Sequence, residues 1–405
     1  MVDKTKEHDA TLYEKYTRIN KTILKIVFLW PTADGEDPFY RKVLKLLLLI
    51  SFLVVFVKQG HRAYTFREDL SSCLEILSLS PTCLIVICRI VTFSCKGEAI
   101  RKFESFNRDM WIEEFQNEEN RKTMLNTART VNILSRFIII LYYICLGNFI
   151  CTPMGTIYDQ WRNGVAMEDM IYNFPFLVAL NFHNPVYNAI VYMYLVSVAI
   201  FIGCWISGIE SFYIVAIQYT ILHIRLLREA LFRLRGNANA LRDLRTCIIK
   251  HNRIYRNAAL INDVFGPVIL FLFVFNTISM CLVLFNIVIM NGGHNGNFGI
   301  SISYLSSEVV SIFFYCYFGS NIINESVELS NAIYDVDWYE DRPNALSFCN
   351  SIRIMMIRSQ NPITITACGF VEVSLSTMTS IASTTLSYFT LVKKMYEEKY
   401  SNSEE

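Results

Sequence analysis

The sequence predicts an all-α membrane protein of about seven spans, with helices that run past the bilayer into a cytoplasmic anchor. Three observations predict it. Apolar residues make up 53% of the 405, while charged residues make up 18%, against about a quarter in soluble globular chains. The apolar residues fall in blocks long enough to cross a bilayer, which takes roughly 20 helical residues each. Lysine and arginine concentrate in alternate connections, as they do in oriented multi-span chains. The net charge of +1 leaves no basic excess for phosphate backbones, so nucleic acid is excluded as the main partner.

The first 42 residues are mixed in charge and carry no signal peptide, so the first apolar block, from Val43, is expected to act as its own insertion signal. The first span is placed near 40–58, the second near 72–95 with Pro81 inside it, and the third near 131–153. The fourth starts at Pro185 and continues past the membrane to about Arg235. The fifth lies near 258–290, the sixth runs from Ile300 to Tyr334, and the seventh lies near 364–392. A shorter helix near 345–358 is stopped by Asn361-Pro362, because proline lacks the N–H and pushes the preceding residue toward extended geometry.

Orientation follows from the connections. Lys96, Arg101, Lys102, Arg108, Arg121, Lys122 and Arg129 lie between spans two and three, and a second basic run from Arg225 to Arg256 lies between spans four and five. The alternate connections hold few basic residues: Arg162 alone after span three, and none in 291–299. The N-terminus is therefore expected in the cytoplasm and the C-terminus outside. The division that follows is a cytoplasmic segment (1–39), an outer bundle of spans one to four (40–220) and a cytoplasmic helical extension (221–257). Spans five and six with their extension (258–344), an anchor helix (345–362), a last helix (363–395) and a frayed tail (396–405) complete it.

Within the extension, Leu222, Leu226, Ala230 and Leu234 recur at helical spacing, Gly236-Asn237 interrupts, and Leu241 restarts the pattern. A basic helix on anionic lipid explains that stripe; a bundle joining subunits explains it better, since two apolar stripes face each other.

The 12 cysteines show no CxxC and no metal spacing, and most sit in apolar blocks as small hydrophobes. Cys73 and Cys151 fall near outer helix ends, where a disulfide is open but unsupported. No HExxH and no GxSxG occurs, and no cofactor is expected. Gly293, Gly296 and Gly299 imitate a phosphate loop but follow an apolar span and read as a hairpin between spans. The sequons at Asn20 and Asn324 fall on or near the cytoplasmic side and are expected to stay unmodified.

Polar groups inside spans are costly in hydrocarbon and draw attention. Glu75, Asn148 and Glu308 each sit in an outer half-span, lining a cavity or making an interhelical hydrogen bond. Cys145, Asn148 and Phe149 share a face of span three, with Met193, Ser197 and Tyr304 at comparable depth; they form the candidate pocket for a small apolar ligand, against ordinary packing. The last span is crowded with hydroxyls from Ser374 to Thr390. Such groups satisfy themselves on their own backbone, and they also line water-filled paths without holding ions tightly. Thr384, Ser387, Tyr388, Leu391 and Met395 share one face, on which hydroxyls give way to apolar side chains able to close a pore by excluding water.

Two C-terminal stretches carry a family likeness. Residues 317–340 (YFGSNIINESVELSNAIYDVDWYE) resemble the insect odorant-receptor pattern with YFG, ES and DWY, and residues 362–391 (PITITACGFVEVSLSTMTSIASTTLSYFTL) are similar to the family's ending. Residues 184–192 and 247–267 also match family positions. The resemblance implies a subunit of a four-subunit, odorant-gated, non-selective cation channel, passing monovalent and divalent cations in the plasma membrane of olfactory neurons. It implies a volatile ligand held between spans two, three, four and six, and a pore lined by the last helix; on that helix's hydroxyl-to-apolar face Leu391 is the candidate gate. It implies pairing with a co-receptor, because this chain lacks the long cytoplasmic insert of that shared subunit. Two positions depart from the pattern: Glu372 stands where a small residue or proline is usual, and Cys368 where glycine is usual. A seven-span receptor acting through G proteins is the rival reading, opposed by the charge asymmetry; a secondary transporter would need inverted repeats, which are not seen.

Overall fold

The computed structural model describes residues 2–32, 37–67, 70–166, 172–174, 178–180, 185–234, 240–289, 298–339 and 345–401. In chain order the helices are α1 (Val2–Ile26), α2 (Phe39–Thr65), α3 (Leu70–Leu77), α4 (Ser80–Cys95), α5 (Gly97–Phe115) and α6 (Glu118–Arg162). A hairpin of β1 (Tyr172–Phe174) and β2 (Val178–Leu180) leads to α7 (Pro185–Phe232), α8 (Ala240–Ile289), α9 (Phe298–Tyr334) and α10 (Ala345–Ser359). A second hairpin, β3 (Thr366–Ala367) and β4 (Val371–Glu372), precedes α11 (Leu375–Ser401).

Local chemistry explains several boundaries. Asn117 caps α6 by accepting from the Glu119 N–H at 3.1 Å, with Glu118 and Glu119 in the positive first turn. Proline opens α7 and stands in the first turn of α4, where its missing N–H has no helical partner to lose. Five helices (α2, α6, α7, α8 and α9) are long and apolar enough to cross a membrane. At 45 to 50 residues, α6, α7 and α8 reach about 70 Å, more than twice the hydrocarbon thickness of about 30 Å, so each continues well outside it.

The structure amends the expected elements in four places. The second span is broken: Pro81 begins a new helix instead of lying inside one, and the 16-residue α4 is short of a full crossing. The fifth span and the restart at Leu241 are one continuous helix, α8; Gly236 and Asn237, like residues 291–297 of the glycine loop, lie outside the described residues. The seventh span opens as a hairpin and turns helical only at Leu375, then continues to Ser401 through most of the tail expected to fray. The N-terminal segment is a helix, α1, packed on α5, α6 and α7.

The main core is built on α7, α8 and α9 and includes Phe212, Tyr213, Phe265 and Tyr315. A second core joins α1, α5, α6 and α7 through Tyr13, Trp111 and Tyr219, whose rings lie 5.7–5.9 Å apart. Leu222 and Leu226 are buried in that second core, and Leu234 in the first. The apolar stripe expected to join subunits or lie on lipid is thus covered by the chain's own helices. Asn20 is buried and donates to Ser135 Oγ at 3.1 Å, which leaves no room for a glycan.

The C-terminal hairpin fixes how α11 meets the rest. Along Ile363–Ala367, Ile363, Ile365 and Ala367 are buried while Thr364 and Thr366 are partly exposed. Asn262 of α8 donates to the Thr364 carbonyl and accepts from the Thr366 N–H, both at 2.8 Å. Ser326 Oγ accepts from the Ile363 N–H at 2.8 Å, and Ser320 Oγ from the Leu375 N–H at 2.9 Å. A Cβ at Gly319 would lie 2.1 Å from the Val373 carbonyl oxygen, so only glycine fits there. The two family-like stretches therefore meet in space: Gly319, Ser320 and Ser326 of α9 receive Val373, Leu375 and Ile363 of the second stretch.

Candidate functional site

The break in the second span leaves backbone carbonyls without helical partners, and side chains from other helices fill the gap. Gln59 of α2 donates to the Ile76 carbonyl at 2.7 Å, and Ser279 of α8 donates to the Ser78 carbonyl at 2.9 Å. Ser279 Oγ in turn accepts from the Tyr304 hydroxyl at 2.9 Å, and Tyr304 accepts from Thr82. One hydrogen-bonded chain thus links α4, α9, α8 and the break.

Beside this chain lies a cavity of about 190 Å³, walled by α2, α4, α6, α7, α8 and α9. Its wall is mainly apolar, with Phe52, Val86, Phe149, Ile206 and Leu272 among the lining residues. Glu210 of α7 stands at one side, buried with Arg89 of α4. Arg89 Nη2 donates to Glu210 Oε1 at 2.9 Å, Ser311 Oγ to the same oxygen at 2.7 Å, and the Tyr142 hydroxyl to Oε2 at 2.5 Å. Four helices meet on that one carboxylate. A buried pair is tolerated when its remaining lone pairs are filled in this way.

Of the six pocket candidates, Cys145, Phe149 and Tyr304 line the cavity. Phe149 stands edge-on to Tyr304 at 6.1 Å, and Cys145 donates to the Ser303 carbonyl at 3.7 Å. Asn148 turns out of the cavity and donates to Ser303 Oγ at 2.9 Å. Met193 is 62% exposed, and Ser197 is exposed and donates to the Met193 carbonyl at 2.8 Å. The face of α7 that lines the cavity is Ala199, Ile202, Gly203, Ile206 and Glu210, and helical spacing turns 193 and 197 away from it. Glu308 lines the cavity and is 5% exposed; the side chain of Glu75 lies outside what the structure describes. Cys73 and Cys151 are both free thiols.

Sequence reasoning passed over Arg89, Tyr142 and Glu210. The signal was present: an arginine in CLIVICRIVTF and a glutamate in CWISGIESF are ionisable groups within apolar runs.

The last helix packs on α8 and α9 through one side only. Its hydroxyls close on their own backbone: Thr384 Oγ1 donates to the Ser380 carbonyl at 2.8 Å and Ser387 Oγ to the Ser383 carbonyl at 3.0 Å. Thr385 is buried, while Tyr388, Leu391 and Met395 are 53–61% exposed in the single chain. The five residues expected on one face therefore stand on the side of α11 that the chain leaves uncovered.

Comparison with known proteins agrees with this architecture. Residues 69–386 match the 7tm Odorant receptor family. The chain belongs to that family of multi-pass membrane receptors, which are not enzymes. It is 31% identical over 195 residues to Odorant receptor 13a of Drosophila melanogaster, covering 44% of this chain and 47% of that protein. It is 26% identical over 147 residues to the Odorant receptor coreceptor of Anopheles gambiae, covering 36% of this chain and 30% of that one. The chain thus aligns with less than half the length of these relatives. The olfactory receptor OR5 of Machilis hrabei, solved in complex with eugenol, has the same fold: TM-score 0.77 at 17% identity, over 96% of this chain and 100% of that one.

Proposed function

We propose that this chain is the ligand-tuned subunit of an odorant-gated, non-selective cation channel, assembled with a co-receptor in the plasma membrane of olfactory sensory neurons. The observation that carries the reading is the mainly apolar cavity among six helices of an odorant-receptor fold. A small volatile ligand is held there by burial, worth about 25 cal/mol per Å² of apolar surface. The ligand opens the channel by binding the open arrangement better than the closed one. The uncovered face of α11 lines the pore, with Thr384 and Ser387 along the water path, Tyr388 between them and the gate, and Leu391 and Met395 as the constriction. The basic connections hold the N-terminus in the cytoplasm. The names of the relatives, one an odorant receptor and others odorant receptor coreceptors, support the pairing.

Whole-cell recording from cells expressing the chain with a co-receptor, under an odorant panel and with G-protein signalling blocked, tests the reading. Fast cation currents that need both subunits are expected. Silence at confirmed surface expression, together with an N-terminal tag reachable from outside intact cells, would replace it with a G-protein-coupled receptor.

A further inference from the structure

Glu308 has no role in the networks described so far. Its carboxyl is 5% exposed and faces the cavity, and neither oxygen has a hydrogen-bond partner among the described residues. The hydroxyls of Tyr304 and Ser279 lie close enough to act on it, but each directs its single proton elsewhere, Tyr304 to Ser279 and Ser279 to the Ser78 carbonyl. The ionisable groups of the wall do not pair off either. Among the described lining residues Arg89 is the sole lysine or arginine, and it is held by Glu210. One carboxyl is left over in an apolar chamber.

A buried polar group without a partner is expensive, and a buried charge more so. A ligand able to donate hydrogen bonds to that carboxyl would remove the penalty, and a cationic one would also balance the wall. Neutral alcohols supply one donor and no charge. An ammonium supplies up to three donors and forms the stronger, charge-assisted bond. An anionic ligand would meet the lone carboxyl with like charge, and Arg89 is already engaged. Size sets the second limit. A dry cavity of roughly 150 Å³ holds benzene; about 190 Å³ gives room for one ring and a short arm.

We infer that the cavity takes a small apolar amine, with its single ring or short chain against the apolar wall and its nitrogen on Glu308. The inference rests on the cavity being the ligand site, as proposed above.

The test uses the purified full chain in detergent and three ligands of nearly equal shape: 2-phenylethylamine, 2-phenylethanol and propylbenzene. Binding is read by calorimetry, so gating does not enter. The amine is expected to bind at least tenfold more tightly than either neutral ligand, and Glu308→Gln to bring it down to the level of the alcohol. Equal affinities in the unsubstituted chain would overturn the inference even if the variant failed to fold, as would no binding by any of the three. Recording from cells with the co-receptor separates the two claims. Currents evoked equally by the neutral ligands would leave the channel reading standing and the amine preference refuted. Tight, Glu308-dependent amine binding without current would do the reverse.

Discussion

Cys368 sits at φ +51°, followed by Gly369 at φ +79°, and the Phe370 N–H closes the turn on the Ala367 carbonyl at 3.0 Å. Two successive positive φ values are what the central residues of this tight turn demand, and glycine meets that demand without strain. A side chain held in the left-handed region costs roughly 1–2 kcal/mol, while glycine loses about 0.5–1 kcal/mol more chain entropy on folding. Cys368→Gly is therefore expected to stabilise the protein by up to about 1 kcal/mol, read as a higher midpoint of thermal unfolding in detergent. His251 makes the opposite kind of prediction. It lies in the arginine-rich first half of α8, its ring 4.7 Å from that of Tyr255, over which Arg358 is stacked at 4.6 Å. Burial and the Arg358 charge hold the imidazole down at about 4. The folded state thus resists a proton that the unfolded chain accepts near 6.5, so stability is full above that pH and falls as the solution is acidified toward 4. By pH 5 the loss should be about 2 kcal/mol. Melting points measured from pH 7.5 to 5 should fall less steeply in His251→Gln; parallel curves would show that other groups set the acid response.

Among the elements, the long apolar helices were readable because hydropathy reports burial in lipid directly. Two of the elements that were misread are those where the apolar signal runs on across a backbone change. Hydropathy does not register that Pro81 opens a helix instead of interrupting one. Likewise the run from Ile363 reads as the start of a span, although its Ile-Thr-Ile-Thr alternation has the period of a strand and Cys368-Gly369 the chemistry of a turn. The hairpin's dependence on α8 is tested by Asn262→Ala, which removes a donor and an acceptor at once. A loss of about 1–3 kcal/mol is expected, with faster hydrogen exchange at the Thr366 amide. For α11, Leu391→Ser should raise the resting leak of the assembled channel, since it puts a hydroxyl at the proposed water-excluding constriction. Unchanged leak and unchanged current size would move the gate elsewhere on the helix.

At the scale of the whole molecule, the Arg89–Glu210 pair ties α4, α6, α7 and α9 together at one side of the cavity. Arg89→Met strands a buried carboxylate and should cost about 3–5 kcal/mol, seen as lost surface expression. Adding Glu210→Gln removes the charge, its amide oxygen accepting from one of the Tyr142 and Ser311 hydroxyls and its NH2 donating to the other, and should restore most of that expression. Such a network was half legible: each ionisable residue stands out in its apolar run, but their meeting depends on helix packing that a single sequence does not display. The same holds for the pocket candidates, where depth was readable and the facing of α7 was not. The seat of α11 has a mechanical consequence. With the Val373 carbonyl against Gly319, the Leu375 N–H on Ser320 and the Val373 N–H on the Ile365 carbonyl at 2.8 Å, the first turn cannot slide along its axis without breaking all three contacts together. Whatever displaces the far end of that helix must swing it about a fixed heel, as a door turns on its lowest hinge.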